Sequence, residues 1–223
     1  MSHYTIGILG LGTFGHAIIK TLSKYDCHII AIDNHENEIN KIESYLSRGV
    51  IGDVTDKNTL RAAGIDTCDA VVVATGTNLE SSVLAVLHCK ALGVEKVIAK
   101  VKSKTSAEVL LKIGADKVIS PERETGISVA KLLLHRSTQS LIDISDTISI
   151  VEFLPPKKWI GKNLLELNLR EKYLLNILGY RDANSQKMSI HITPDYIFND
   201  KESVIAITDK DMIDHFEEYI NKM

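Results

Sequence analysis

Gly10-Leu11-Gly12-Thr13-Phe14-Gly15 is the stretch that decides the fold. An apolar run over residues 4–9 precedes it and reads as a strand. Residues 15–25 follow it, with Ile18, Ile19 and Leu22 on one face, and read as a helix. A GxGxxG between a strand and a helix has three separate demands. Gly10 allows a tight turn, Gly12 lets a phosphate approach the backbone, and Gly15 lets the helix pack close to the strand. The helix start offers unpaired N–H groups and a partial positive charge. Asp33 closes the next strand (residues 28–32) at the spacing expected for an acid that accepts from ribose hydroxyls and repels a 2′-phosphate. Asn34 follows it. The motif therefore predicts nucleotide binding.

Outward from the motif, strands and helices alternate. Helices are expected over 36–46, 57–63, 81–91 and 106–112, the last three stopped at Gly64, Gly93 and Gly114. Strands are expected over 50–52, 70–74, 96–100 and 117–119. Val71-Val72-Val73 leaves no polar face, as in a strand buried on both sides. This pattern predicts an α/β fold, a Rossmann-like doubly wound parallel sheet. Asp53-Val54-Thr55 and Ala74-Thr75-Gly76 fall after the third and fourth strands, at the sheet edge where ligands of such folds bind. Asp53 either faces the adenine edge or caps the helix starting near residue 57.

The style changes after about residue 120. Eleven of the 13 glycines come before residue 130, whereas Pro121, Pro155, Pro156 and the only Trp, Trp159, come late. Residues 126–136 form a helix more apolar than one buried face requires, which implies core packing or a crossover contact with a second copy. Residues 145–223 then read as a small α+β domain. Its strands are expected over 148–154, 174–180, 190–191 and 204–208, and Asp209 is placed to cap a closing helix over 209–220.

Composition narrows the function. The chain of 223 residues has a formal net charge of −3, with no basic footprint for nucleic acid. Cys27, Cys68 and Cys89 are scattered and read as structural thiols in a reducing compartment. No apolar run is long enough to span a bilayer. No Tyr-x-x-x-Lys pair or His–Asp relay suggests a hydride-transfer enzyme, and His35, His88 and His135 read as solvated or packed.

The chain resembles the RCK (regulating conductance of potassium) proteins of the Ktr/Trk type, in their KtrA/KtrC branch. The resemblance rests on the motif itself, Ile32-Asp33, Gly52-Asp53-Val54-Thr55, Val72-Val73-Ala74-Thr75-Gly76 and Ala99-Lys100. Lys112 to Ile119, Ser120-Pro121-Glu122-Arg123, Gly161-Lys162-Asn163-Leu164 and Leu167 to Tyr173 extend it over almost the whole chain. It implies an RCK N-terminal nucleotide domain (1–136, with the crossover helix at about 126–136) and an RCK C-terminal domain (145–223). It implies a cytoplasmic homodimer, assembled into an octameric ring at the inner face of the plasma membrane. The ring would gate a potassium channel subunit of the KtrB/TrkH type according to bound ATP or ADP.

Glu122 matches the family's acid at the dimer interface, where two copies would hold a divalent cation such as Mg or Ca. Lys100 matches a lysine near the same place. Read as residues alone, Glu122 is a favourable helix-start charge and Lys100 a snorkelling strand-end lysine. Thr13 stands where this branch commonly has Arg. Its hydroxyl brings no charge to a terminal phosphate, so another cation compensates or preference shifts toward ADP, AMP or NAD(H). Some relatives bind cyclic di-AMP in the C-terminal domain, and Arg170, Asn176, Ile177 and Pro194 fall at matching positions. Read alone, Arg170 is a surface-pairing residue and Ile177 a core residue. Rival readings are a free-standing nucleotide or cyclic di-AMP sensor and an NAD-linked oxidoreductase.

Overall fold

A computed structural model describes residues 4–75, 78–134, 138–183, 185 and 187–213. The chain divides into two compact units, Met1–Arg123 and Glu124–Met223. In the first, β1 (Tyr4–Leu9), α1 (Thr13–Leu22), β2 (Cys27–Asp33), α2 (Glu36–Asn40), β3 (Arg48–Ile51) and α3 (Lys57–Ala63) are followed by β4 (Ala70–Val73), α4 (Leu79–Ala91), β5 (Lys96–Lys100), α5 (Lys104–Lys112) and β6 (Lys117–Ile119). The strands form one sheet in the order β3-β2-β1-β4-β5-β6, with every pairing parallel. Strand order reverses between β1 and β4, which opens a crevice at the carboxyl ends of those strands.

Alternation along the strands feeds two cores. Leu9, Val71 and Val73 enter one cluster, closed by Leu60, Ala85 and Val86 of the helices. Ile8 and Val72 point the other way, into a cluster with Ile19, Ile39 and Ile42. All four residues of β4 are buried, as expected for a central strand covered on both faces.

Helix α6 (Pro121–Leu134) runs through the boundary between the units. None of its residues is buried, and Leu133 and Leu134 are 76% and 75% exposed. Among the described residues, its apolar side chains are not covered by packing. Residues 135–136 of the expected helix lie outside the described residues, as does His135.

The second unit carries β7 (Thr138–Asp143), β8 (Ile148–Phe153), α7 (Leu164–Leu167), α8 (Leu169–Tyr173), β9 (Asn176–Asp182), β10 (Met188–Ser189) and β11 (Glu202–Asp209). They make an antiparallel sheet in the order β10-β9-β11-β8-β7. Trp159 fills the core of one face, edge-on to Phe153 and Phe198 at 5.9 and 5.4 Å between ring centroids. On β8 and β11 the other face holds a polar set, in which Glu152 accepts from Arg181 Nε at 2.8 Å and from Ser203 Oγ at 2.5 Å.

Several elements differ from the sequence expectation. The helix expected over 36–46 stops at Asn40 and resumes as a 3-10 turn over Glu43–Tyr45, while Ile39 and Ile42 remain buried together. The strand expected from residue 174 starts at Asn176, because Leu174 is left-handed (φ 52) and cannot continue a strand. Strand β7 and helix α8 were not expected. The closing helix starts at residue 210, and residues 214–223 lie outside the described residues.

Candidate functional site

The crevice of the parallel sheet is a cavity of about 530 Å3, a size that suits a small ligand. Its wall at the centre is the glycine loop, and the three glycines behave differently. Gly10 has φ +97, and a Cβ there would meet Thr75 N at 3.1 Å, so strand and turn exclude a side chain. A Cβ on Gly15 would meet Gly10 O at 2.3 Å, so helix α1 can lie this close only on glycine. Gly12 has nothing within 4 Å of its Cβ position. It caps α1 without a side-chain bond, and no acid sits in the first turn. The open face of Gly12 and the unpaired N–H groups behind it fit a phosphate.

Asp33, at the end of β2, is buried. Its Oδ2 accepts from Leu11 N at 2.6 Å, and its Oδ1 accepts from His35 N at 2.9 Å and lies 3.1 Å from His35 Nδ1. The carboxylate thus pins the glycine loop to β2 as well as lining the cavity. Asp53 Oδ1 accepts from Thr55 N at 2.8 Å and from Thr55 Oγ1 at 2.7 Å, which hold its carboxyl below the usual carboxylate range. Asp53 does not cap α3. Asp56 does, accepting from Asn58 N and Thr59 N.

At the far end of the cavity, Lys100 Nζ lies 2.6 Å from Glu122 Oε1 and 5.7 Å from the Phe14 ring centroid. That hydrogen bond is the main reason the Glu122 carboxyl sits below its ordinary range. Among the described residues no group of three or more His, Cys, Asp or Glu is placed to hold a metal ion. Glu122 alone does not complete a cation site, so any cation there would draw its other ligands from water, phosphates or a second copy.

The structure therefore brings Gly10, Gly12, Thr13, Phe14, Asp33 and Asn34 to one cavity. Asp53, Val54, Ala74, Thr75, Lys100 and Glu122 line it too. Gly15 and Thr55 do not; they support Gly10 and Asp53 from behind. Gly76 lies outside the described residues. Leu11, Gly52, Ser81 and Lys102 line the cavity without having been predicted as site residues, and so does His35, which was expected to be solvated or packed and sits beside Asp33 at the cavity wall. Gly52 adjoins Asp53, and Lys102 lies two residues beyond Lys100, the last residue of β5, which was the available signal.

In the second unit, Arg170, Asn176 and Ile177 line one hollow of about 250 Å3, and Arg170 and Asn176 also line a larger one of about 640 Å3. Pro194 lines neither. Among the described residues Arg170 makes no ion pair, and Ile177 packs against the Trp159 core. Thr208 lines the larger hollow with a buried hydroxyl that has no hydrogen-bond partner among the described residues. Cys68 and Cys89 are buried, and burial pushes both thiols up to about 12, so neither is a reactive thiolate.

Residues 6–121 match the TrkA-N domain and residues 148–221 the TrkA-C domain. The chain belongs to the TrkA-N/TrkA-C family. Within it, Ktr system potassium uptake protein A of Bacillus subtilis (strain 168) is 33% identical over 210 residues, covering 94% of both chains. Ktr system potassium uptake protein C of the same organism is 32% identical over 213 residues, covering 96% of both. Both are named as potassium uptake proteins. The GsuK channel bound to NAD shares the fold, with a TM-score of 0.67 at 18% identity over 98% of this chain. This chain spans 39% of that channel chain's length. In this TrkA-N/TrkA-C chain, no helix among the described residues is long and apolar enough to cross a membrane.

Proposed function

We propose that this chain is the cytoplasmic regulatory subunit of a potassium uptake system. An adenine nucleotide, ATP or ADP with NAD(H) as a further ligand, occupies the glycine-loop cavity and biases the shape of the assembly. The assembly docks on a membrane channel subunit of the KtrB/TrkH type at the inner face of the membrane. The observation that carries this reading is the open face of Gly12 at the switch point of the sheet, in a chain similar over 94% of its length to a Ktr potassium uptake protein. No catalytic step is assigned. The nucleotide acts by binding one shape more tightly than the other, since equal affinity shifts nothing.

The nucleotide domain is residues 1–136 and the second, ligand-binding and assembly, domain is 145–223. The exposed apolar residues of α6 support pairing with a second copy, and pairs of this kind build the octameric ring. In the pair, two Glu122 carboxylates and the facing phosphates take up a divalent cation, Mg or Ca, because like charges so close repel unless a cation bridges them. Arg170, Asn176 and Ile177 are the candidates for cyclic di-AMP, the planar guanidinium of Arg170 being suited to a phosphate.

Calorimetric titration with ATP, ADP, NADH and cyclic di-AMP, each with and without magnesium, tests this reading. Saturable binding of an adenine nucleotide supports it. Flat titrations with all four contradict it.

A further inference from the structure

The cavity is polar along its length. Asp33 and Asp53 stand on β2 and after β3, on one side of the glycine loop, while Lys100 and Lys102 stand at and just beyond the end of β5 on the other. Strands β2 and β5 are three sheet positions apart, about 14 Å at ordinary strand spacing. Carboxylates suit the hydroxyls of a sugar and repel phosphate, whereas ammonium groups attract it. A nucleotide laid across the loop therefore has one favoured direction, with its phosphate chain running toward Lys100.

Lys100 is well placed and not strongly committed. Its side chain is 14% exposed, held under Phe14, and among the described residues its one ion pair is to Glu122, which is 62% exposed. Ion pairs with so exposed a partner stabilise little, so breaking this one costs little. Thr13, beside Gly12, supplies no charge of its own.

We propose that Lys100 is the residue that reads phosphate-chain length in this chain, exchanging Glu122 for the terminal phosphate of a nucleoside triphosphate. With a monophosphate or no ligand, Lys100 and Glu122 neutralise each other. When a triphosphate reaches Lys100, the ammonium turns to it and Glu122 is left beside the phosphates without its ion-pair partner. Glu122 is then a free carboxylate for a cation, so divalent dependence arises only with the longer nucleotide. This inference rests on nucleotide binding at the cavity and adds to it the identity of the discriminating group.

The test is calorimetric titration of AMP, ADP and ATP, with and without magnesium, into wild type, Lys100→Met, Lys100→Arg and Glu122→Gln, with a thermal melt of each. Met keeps the packing under Phe14 and removes the charge. Lys100→Met is expected to lose at least tenfold in ATP affinity while AMP affinity stays within twofold. Lys100→Arg is expected to retain the preference for ATP. Glu122→Gln is expected to bind ATP several-fold more tightly without magnesium and to lose the gain that magnesium brings. An unchanged ratio of ATP to AMP affinity in Lys100→Met, or an unchanged magnesium effect in Glu122→Gln, would overturn the exchange. Wild type that binds none of the three would instead overturn the nucleotide reading itself.

Discussion

Asp33 shows how one side chain serves both fold and site. Its spacing from the glycine motif marked it as an acceptor for ribose, and the structure adds a structural task that the spacing did not reveal. The bond from Leu11 N crosses 22 residues of sequence, so nothing local announces it. Removing the carboxylate leaves that buried N–H without an acceptor, which costs about 1–3 kcal/mol. Asp33→Ala is therefore expected to lose that much in urea unfolding and, separately, to weaken adenine nucleotide binding at least tenfold. A variant as stable as wild type would mean that water replaces the acceptor and that the loop does not depend on Asp33. The Lys100–Glu122 pair was hidden in the same way: both residues were marked, by resemblance, but their direct contact is a fact of three-dimensional packing.

Among the elements, the parallel sheet was legible because its strands carry apolar patterns and three of its helices end at or just before a glycine, Gly64, Gly93 or Gly114; the helix expected over 36–46 had no such stop and is shorter than expected. The second unit was less so. In β7, Thr138-Gln139-Ser140 precedes Leu141-Ile142, with no clean alternation, and the strand is held by pairing with β8 instead. An ion-pair node also holds it. Asp143 accepts from Lys131 of α6, from Ser149 Oγ at 2.7 Å and from Lys210 at 3.3 Å. Burial by itself would raise its pKa, but these three bonds outweigh it and bring the carboxyl to about 2. A depressed carboxyl stabilises the fold above its unfolded pKa, and that stabilisation is lost as pH falls through the folded value. Asp143 is 36% exposed, so solvent screening leaves roughly 1 kcal/mol of the shift. Between pH 4 and pH 2, wild type should lose this increment and Asp143→Asn should not. Parallel melting curves for the two proteins across that range would contradict the node.

At the scale of the whole molecule, the two units have separate cores and opposite sheet types. The units divide at Arg123/Glu124, inside the continuous helix α6 and near where glycine and proline usage changes, whereas the sequence expectation put the domain boundaries at 136 and 145. The single tryptophan, Trp159, lies in the core of the second unit, so its fluorescence reports that unit. A ligand bound to the first unit stabilises what it binds, by an amount set by its concentration over its Kd. ATP is therefore expected to raise the transition followed by circular dichroism of the whole chain. A shift confined to the Trp159 signal would place the ligand in the second unit.

The central claim is that a nucleotide phosphate lies against Gly12, and Gly12→Ala tests it most directly. Gly12 has φ −72 and ψ −174, a conformation open to any residue, and nothing lies within 4 Å of the added carbon. The substitution should leave the melting temperature unchanged and place a methyl group where the phosphate must come. In calorimetric titration with ATP, the account predicts saturable binding to wild type and at least a tenfold loss in Gly12→Ala. Equal affinity in the two proteins, at equal stability, would contradict it.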